Sequence, residues 1–182
     1  MILPLFRRSE PTIVALYGAI VTQARDPHFY GHLGVPDTVL GRFDLIVLHL
    51  ALLLRRLRAQ EGAGPNVAQG VFDTFCRDMD HNLREMGISD QGVPHQMRRV
   101  GEAFYGRAQA YDAALTRPED RALIEALRRN VYAEAQEPSV AVVRLAAYVR
   151  QAADDLDAQD LDKLLQGTVS FPVPAAVTSA AE

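Results

Sequence analysis

The stretch that decides the fold runs from residue 37 to residue 60 and reads DTVLGRFDLIVLHLALLLRRLRAQ. Apolar side chains recur there at steps of three and four residues, and further leucines fill most of the remaining circumference. This pattern is typical of a helix with neighbours on all sides. Its longest apolar run, residues 45–54, is ten residues long and includes His49, whereas a membrane-spanning helix needs about 20 apolar residues. We therefore predict a central helix of the core.

Helical periodicity continues on both sides of this central helix. The predicted helices extend from residue 9 to just before 26, over 37–60, from a break at 62–66 to 87, over 92–115, from 116 to about 135 and from about 138 to at least 156, with a short acidic segment that ends at 167. Apolar and polar residues do not alternate with period two over more than a few residues, and the sequence contains no Asn-Gly or Asp-Gly hairpin turn. We predict an all-α, single-domain bundle of six or seven helices around the central hydrophobic one.

Several side chains predict where these helices begin and end. Asp37 precedes the central helix as an N-cap, and Thr116 with Glu119 has the spacing of a capping box. Gly87 stands where the residue after a helix adopts a left-handed conformation.

Composition bounds the class of protein. The chain has 182 residues, with 19 Lys and Arg against 23 Asp and Glu and a net charge of −4, so it lacks the basic excess with which proteins bind nucleic acids. The single cysteine, Cys76, excludes an internal disulfide and a cysteine-rich metal site. The positive charges of residues 1–8 follow the apolar patch instead of preceding it, which is not the pattern of an export signal. We expect a cytoplasmic protein.

The domain is expected to cover residues 9–167. Residues 1–8 form an apolar and basic N-terminal tail that would suit anionic lipid headgroups. Residues 168–182, rich in proline and small side chains, form a flexible C-terminal tail that is expected to fray.

One acidic and histidine-containing pattern looks like half of a metal site. Asp78 and His81 lie one turn apart on the third predicted helix, with Glu85 one turn further, as in a helical di-iron centre. Such a centre needs a second acidic-x-x-His pair, and the sequence contains none. Asp80 and Arg84 also have the i,i+4 spacing of a surface ion pair. A charged, solvent-facing surface is therefore favoured, and a helical-bundle metalloenzyme stays open as an alternative.

The histidines leave a second alternative open. A haem-binding or small-molecule-binding helical module would place His49 or His28 near a pocket. A single histidine on a mostly buried helix is, however, more often a hydrogen-bonded core residue, and this is our prediction for His49. The sequence contains no nucleophile elbow, phosphate-binding loop or dinucleotide fingerprint.

Three features favour the binding of another molecule. Residues 26–38 form an aromatic, glycine-bearing link that is long for a connection between helices. Gly101 and Gly106 each cost a predicted helix about 1 kcal/mol relative to alanine, which indicates close approach of a neighbouring helix or a bend that faces a ligand. The sequence Phe-Tyr-Gly-Arg at residues 104–107 combines side chains that are enriched in protein interfaces. Phe104 also belongs to the apolar side of its predicted helix.

Five segments of the sequence carry a resemblance to a known family. They are ARDPHFY (residues 24–30), LGVPDT (33–38), GRFD (41–44), DMDHNLREMG (78–87) and AFYGR (103–107). Together they resemble the ubiquinol–cytochrome c chaperone family, in its short, bacterial type. The resemblance covers about residues 17–150 and is most specific in the last two segments.

The resemblance implies an assembly factor and not an enzyme. Members of this family bind newly made cytochrome b and support its incorporation into the respiratory ubiquinol–cytochrome c oxidoreductase, complex III. Cytochrome b is therefore the expected partner, and the ribosome and the membrane surface are further candidates. The expected location is the cytoplasm, or the cytoplasmic face of the inner membrane. No cofactor and no nucleic-acid partner are expected.

A protein that holds a membrane-bound client needs exposed apolar and aromatic surface. The client-binding residues that we predict are Phe29, Tyr30, Val35, Phe104, Tyr105 and Arg107. A charged rim, which would favour one partner over another, is predicted at Asp78, Asp80, Arg84 and Glu85.

Overall fold

The computed structural model describes residues 9–133 and 140–174. In this part of the chain it contains eight helices and no β-strand. The helices are α1 (Ser9–Ala24), α2 (Pro27–Gly31), α3 (Val39–Arg58), α4 (Gly64–Glu85), α5 (Val93–Leu115), α6 (Arg121–Asn130), α7 (Val140–Ala158) and α8 (Leu161–Leu165). Six of them have ten or more residues, whereas α2 and α8 have five each. The predicted all-α bundle is confirmed.

α3 lies at the centre of the bundle, as its leucines predict. It packs against α1, α4, α5 and α7, and residues 45–54 are all buried except for the half-buried Ile46. α7 runs in the same direction as α3, because His49 meets Tyr148 while Arg56 meets Leu156. No helix in the described ranges combines the length and the apolar character that crossing a membrane requires.

The start of α3 differs from the prediction by one residue. Thr38 is the N-cap, and its Oγ1 accepts a hydrogen bond from the Gly41 amide at 3.1 Å. The Asp37 carboxylate accepts a hydrogen bond from Arg42 Nε at 2.8 Å instead. The predicted Asp37 cap is wrong because this carboxylate is engaged by an ion pair, so the hydroxyl of the next residue satisfies the helix end.

The predicted capping box before α6 does not form. Thr116 Oγ1 donates to the carbonyl of Ala113 at 2.8 Å, and the Thr116 hydroxyl therefore belongs to the end of α5. α6 begins at Arg121 and ends at Asn130. Because residues 131–133 are not helical, the predicted continuation of this helix to about residue 135 is also wrong.

Glycines occur at the end of α4 and at a close contact between two helices. Gly87, with a φ of 84°, follows the end of α4 as predicted. Close approach of a neighbouring helix at Gly101 and Gly106 is not observed, because a Cβ atom at either position would meet no atom within 4 Å. The close approach occurs at Gly70 of α4, where a Cβ atom would lie 2.3 Å from Ile13 Cδ1 of α1.

The start of the predicted C-terminal tail packs against the bundle. Residues 168–173 are not helical. The side chains of Val169 and Phe171 nevertheless contact the hydrophobic core. This contact corrects the prediction of a frayed tail for residues 168–174. Residues 175–182 and the predicted N-terminal tail, residues 1–8, lie outside the described part of the chain.

Candidate functional site

A buried polar centre connects α3 with α7. His49 is fully buried, with its Nδ1 2.7 Å from the Leu45 carbonyl oxygen and its Nε2 2.8 Å from the Tyr148 hydroxyl. Because a carbonyl only accepts, Nδ1 carries the proton and Nε2 accepts a hydrogen bond from Tyr148. Burial lowers the pKa of His49 to about 4, so the ring is neutral at neutral pH. The predicted hydrogen-bonded core histidine is confirmed.

The geometry gives no support to a haem ligand at His49. Both ring nitrogens of His49 form hydrogen bonds inside the core, so neither reaches an iron without breaking one of them. His28 lies on the short helix α2, and its ring stacks on the ring of His32, the residue that follows this helix, with 4.5 Å between the ring centroids.

A buried ion pair joins α3 to α5. Asp44 is 3% exposed, and its Oδ1 accepts a hydrogen bond from Arg107 Nη2 at 2.9 Å. Arg107 also donates from Nη1 to the Ala103 carbonyl and lies 5.9 Å from the centre of the Phe43 ring. Burial raises the pKa of Asp44 to about 6 in spite of the nearby guanidinium. Arg107, a predicted client-binding residue, is therefore engaged mainly with the core of its own chain.

Three more of the predicted client-binding residues are part of the core. Phe29, Val35 and Phe104 are 0%, 2% and 0% exposed. Phe29 lies on α2, which follows the N-cap Asp26, and its ring packs edge-on against His49 with 5.5 Å between centroids. A side chain without exposed area cannot contact another protein in this conformation. We therefore assign these three residues to packing.

The two predicted tyrosines differ in exposure. Tyr30 is half-buried, and its hydroxyl donates to the Ala24 carbonyl at 2.6 Å. Tyr105 is 54% exposed. Its ring rests on Phe72 and Phe104, with centroid distances of 5.6 and 5.3 Å. Tyr105 is thus supported on one side by an aromatic cluster and open on the other.

Tyr105 borders an open groove between α3 and α5, which we call the α3–α5 groove. The groove has a volume of about 610 Å³. Ala51 and Leu54 of α3 and Phe104 of α5 form its buried floor. The apolar surface open to a partner comes from Tyr105 and from the small residues Ala59 and Ala108.

Charged residues lie at one end of the α3–α5 groove. Arg55 Nε is 3.2 Å from Asp112 Oδ1, and Arg55 Nη1 is 2.9 Å from Asp157 Oδ2. Arg58 lines the same groove and is exposed. The groove therefore offers an apolar floor, an aromatic edge and an end where two arginines and two carboxylates lie.

Most of this groove was not predicted from the sequence. The apolar residues of α3 pointed to a helix buried on all sides, whatever the size of the side chain. Ala51 and Ala108 leave space between their helices because they are small. Ala51, Arg55 and Arg58 follow the i, i+4, i+7 spacing of one helix face, and this combination of a small residue with two arginines is the signal that would have indicated the groove.

The predicted charged rim lies elsewhere. Asp78 lines a separate groove of about 550 Å³ between α1 and α4. Asp80 pairs with Arg84 at 2.7 Å, as its spacing predicts, and Glu85 pairs with His81 at 3.1 Å. None of the four rim residues lines the α3–α5 groove. The structure therefore does not bring the predicted rim to the exposed aromatic surface.

The residues considered for a metal site have other partners. Asp78 Oδ2 accepts a hydrogen bond from the Tyr17 hydroxyl at 2.7 Å, and His81 Nε2 lies 3.1 Å from Glu85 Oε1. In the part of the chain that the structure describes, no group of three or more His, Cys, Asp or Glu side chains is arranged to hold a metal ion.

Fold and groove together define a class of protein: an all-helical domain with an open, aromatic-edged groove on its surface. The chain belongs to the ubiquinol–cytochrome c chaperone family, since the family described as "Ubiquinol-cytochrome C chaperone" matches residues 31–171. The resemblance found in the sequence is thereby confirmed.

Solved and curated relatives agree with this family. The crystal structure of the Cbp3 homolog from Brucella abortus is similar with a TM-score of 0.87 and 40% identity, over 97% of this chain and 99% of that chain. The ubiquinol-cytochrome-c reductase complex assembly factor 1 of Xenopus laevis is 29% identical over 85% of this chain and 77% of its own length. The human protein of that name is 25% identical over 86% of this chain, and the match spans 52% of the human protein.

Proposed function

We propose that this chain is a non-catalytic assembly chaperone that binds newly made cytochrome b and supports the assembly of ubiquinol–cytochrome c oxidoreductase, respiratory complex III. The observation that carries the proposal is the match of residues 31–171 to a family of chaperones for this complex. The frog and human relatives are named assembly factors of the same complex. Cytochrome b is the client that the family resemblance implies.

The α3–α5 groove is the surface that we assign to the client. Its floor at Ala51, Leu54 and Phe104 is apolar, and Tyr105 stands at its edge on a packed aromatic cluster, so this ring is presented with little freedom to lose on binding. Tyrosine and arginine are the residues that most often dominate interface energies. An apolar helix of an immature membrane subunit would lie in such a groove with one face buried.

The proposed action is protection followed by release. While the client is bound, its apolar surface is covered. When the neighbouring subunits of the complex arrive, they compete for that surface and shift the population towards the free chaperone. We place this exchange in the cytoplasm, at the cytoplasmic face of the inner membrane, with the ribosome and the membrane surface as further contacts.

A charge placed on the groove edge tests the assignment. We expect full-length tagged protein with Tyr105→Asp to capture about tenfold less cytochrome b than the parent from cells that make it. Val143→Asp is the matched control, because Val143 is 49% exposed on α7 and lies outside the groove, and it should capture the parental amount. The groove assignment fails if the folded Tyr105→Asp variant captures as much cytochrome b as Val143→Asp.

The function itself has a separate test. Cells that lack this protein should accumulate less complex III, measured from the b-type haem absorbance of their membranes. Normal complex III levels with both b-type haems in such cells would refute the assembly function, whatever the groove variants show.

A further inference from the structure

Residues 168–174, with the sequence Thr-Val-Ser-Phe-Pro-Val-Pro, form a strap along the bundle. The chain turns into the strap at Gly167, whose φ is 90°. Gln159 Nε2 donates to the Ser170 carbonyl at 2.9 Å, and the Ser170 amide donates back to Gln159 Oε1 at 2.9 Å. One side-chain amide thus pairs with both backbone groups of a single strap residue, as a neighbouring β-strand would.

Phe171 anchors the strap at the buried polar centre. Its ring packs edge-on against His49, with 5.1 Å between centroids and an interplanar angle of 89°. The other rings around His49 are those of Phe29 and Tyr148, at 5.5 and 5.7 Å. The strap therefore supplies one wall of the aromatic cage around the buried histidine.

Gln23 connects the polar centre to the strap. Its Nε2 donates to the Tyr148 hydroxyl at 3.0 Å and to the Pro172 carbonyl at 3.0 Å. The chain of hydrogen bonds that starts at the Leu45 carbonyl and passes through His49 and Tyr148 ends on the strap backbone. Part of the polar centre is thus satisfied by a segment that has no helical structure up to residue 173.

These contacts follow the pattern of extended-peptide recognition. The bundle's two glutamines engage only backbone atoms of the strap, and Phe171 supplies an apolar anchor, while Ser170 and Val173 are exposed. Backbone hydrogen bonds of this kind give affinity, and a pocket for one side chain gives specificity. Release of the strap would break these three hydrogen bonds and the core contacts of Val169 and Phe171.

Charge narrows the class of ligand. The strap has no ionisable side chain, and the carboxylates of Asp26 and Asp155 both act electrostatically on Tyr148 within the site. A ligand with acidic residues near its phenylalanine would be repelled.

We propose that Gln23, His49, Tyr148 and Gln159 form a binding site for an extended, non-acidic peptide segment that carries phenylalanine. The strap is the internal ligand of this site, and a segment of the same kind from the client exchanges with it. The exchange with the client rests on the proposed function, whereas the peptide site does not.

The site is tested with the full chain and a labelled peptide of the strap sequence. In the parent, the tethered strap holds the site at an effective concentration of about millimolar, so added peptide should bind weakly. Phe171→Ala weakens the internal ligand and leaves the site intact, and we expect it to bind the peptide about tenfold more tightly than the parent by fluorescence anisotropy. Val173→Ala, in an exposed strap position, is the matched control and should behave as the parent.

Two further arms make the test decisive. A peptide with alanine in place of phenylalanine should not bind, and adding Gln159→Ala to Phe171→Ala should weaken binding. Ser170→Pro, which removes the amide that Gln159 accepts from, is a second way to loosen the strap if Phe171→Ala does not fold. The proposal is overturned if a folded strap variant binds no peptide, if the parent binds equally well, or if both strap variants unfold.

The exchange of the strap with a client segment is tested separately. Excess strap peptide should reduce the capture of cytochrome b by Phe171→Ala. If the peptide binds and capture is unchanged, the exchange with the client is refuted while the peptide site stands. Failure of the proposed function would instead appear as normal complex III levels in cells without the protein.

Discussion

Arg107 Nη2 on α5 lies 2.9 Å from Oδ1 of Asp44 on α3, and this carboxylate is buried. Burial disfavours the ionised carboxylate more than the guanidinium favours it, since the pKa of Asp44 is raised to about 6. Five residues further along α3, burial lowers the pKa of His49 to about 4. Two groups on one helix therefore oppose each other over the same range of pH.

Asp44 should make the folded state less stable as pH rises from about 4 to about 6. In this window the folded protein holds the proton that the unfolded chain has released, because the folded pKa is the higher one. Asp44→Asn removes this pH-dependent contribution to stability, because asparagine does not ionise. We compare the free energies of unfolding of the parent and the variant at each pH. The parent should lose about 1–2 kcal/mol relative to the variant between pH 4 and pH 6, a value reduced for the partial solvation of the carboxylate.

Urea unfolding at a series of pH values measures this difference. Asp37→Asn is the matched control, because it also removes a carboxylate from an ion pair with an arginine, Arg42, but at an exposed position. A constant difference between parent and Asp44→Asn from pH 4 to 6 would contradict the prediction.

His49 should act in the opposite direction. The unfolded chain takes up a proton below about pH 6.5, while the folded ring resists it until about pH 4, so stability is lost as pH falls through this window. The loss amounts to at most about 3 kcal/mol. His49→Gln should abolish this loss and leave the contribution of Asp44, so that the stability of the variant no longer falls towards acid as that of the parent does.

The same urea series tests this prediction, with the exposed His32→Gln as its control. A folded His49→Gln protein that loses stability towards acid as steeply as the parent would show that this histidine does not titrate as its burial requires.

The sequence predicted the bundle well where periodicity is long. The leucines of residues 45–54 define α3 and its central place because a helix apolar on all sides has to be surrounded. α2 was missed because its five residues are too few to show a period. Its formation depends on the Asp26 cap and on the burial of Phe29 against His49, which is a tertiary contact.

The candidate site was only partly predictable for a similar reason. Helical spacing favoured a core position for Phe104, whereas the motif Phe-Tyr-Gly-Arg favoured the surface. The structure buries Phe104 and exposes Tyr105, its neighbour on the next helical position. For the strap, composition suggested flexibility, but Gln23, which lies 149 residues before Pro172, and Gln159, which lies 11 residues before Ser170, both pair with it. Such pairings leave no local pattern in a single sequence.

The close contact of α1 with α4 at Gly70 should tolerate no larger residue without a cost. A Cβ atom there would lie 2.3 Å from Ile13 Cδ1 and 3.0 Å from Ile13 Cγ1, so Ile13 has to change rotamer or the two helices have to separate. Overpacking of this kind costs about 1–3 kcal/mol, and alanine favours both helices equally, so we expect Gly70→Ala to be less stable than Gly106→Ala by about this amount. Gly106→Ala is the matched control on α5, because a Cβ atom there would meet nothing within 4 Å, and alanine favours the helix by about 1 kcal/mol. Thermal and urea unfolding of the two variants should show this difference, and a Gly70→Ala protein as stable as Gly106→Ala would contradict the expected cost of the contact with Ile13.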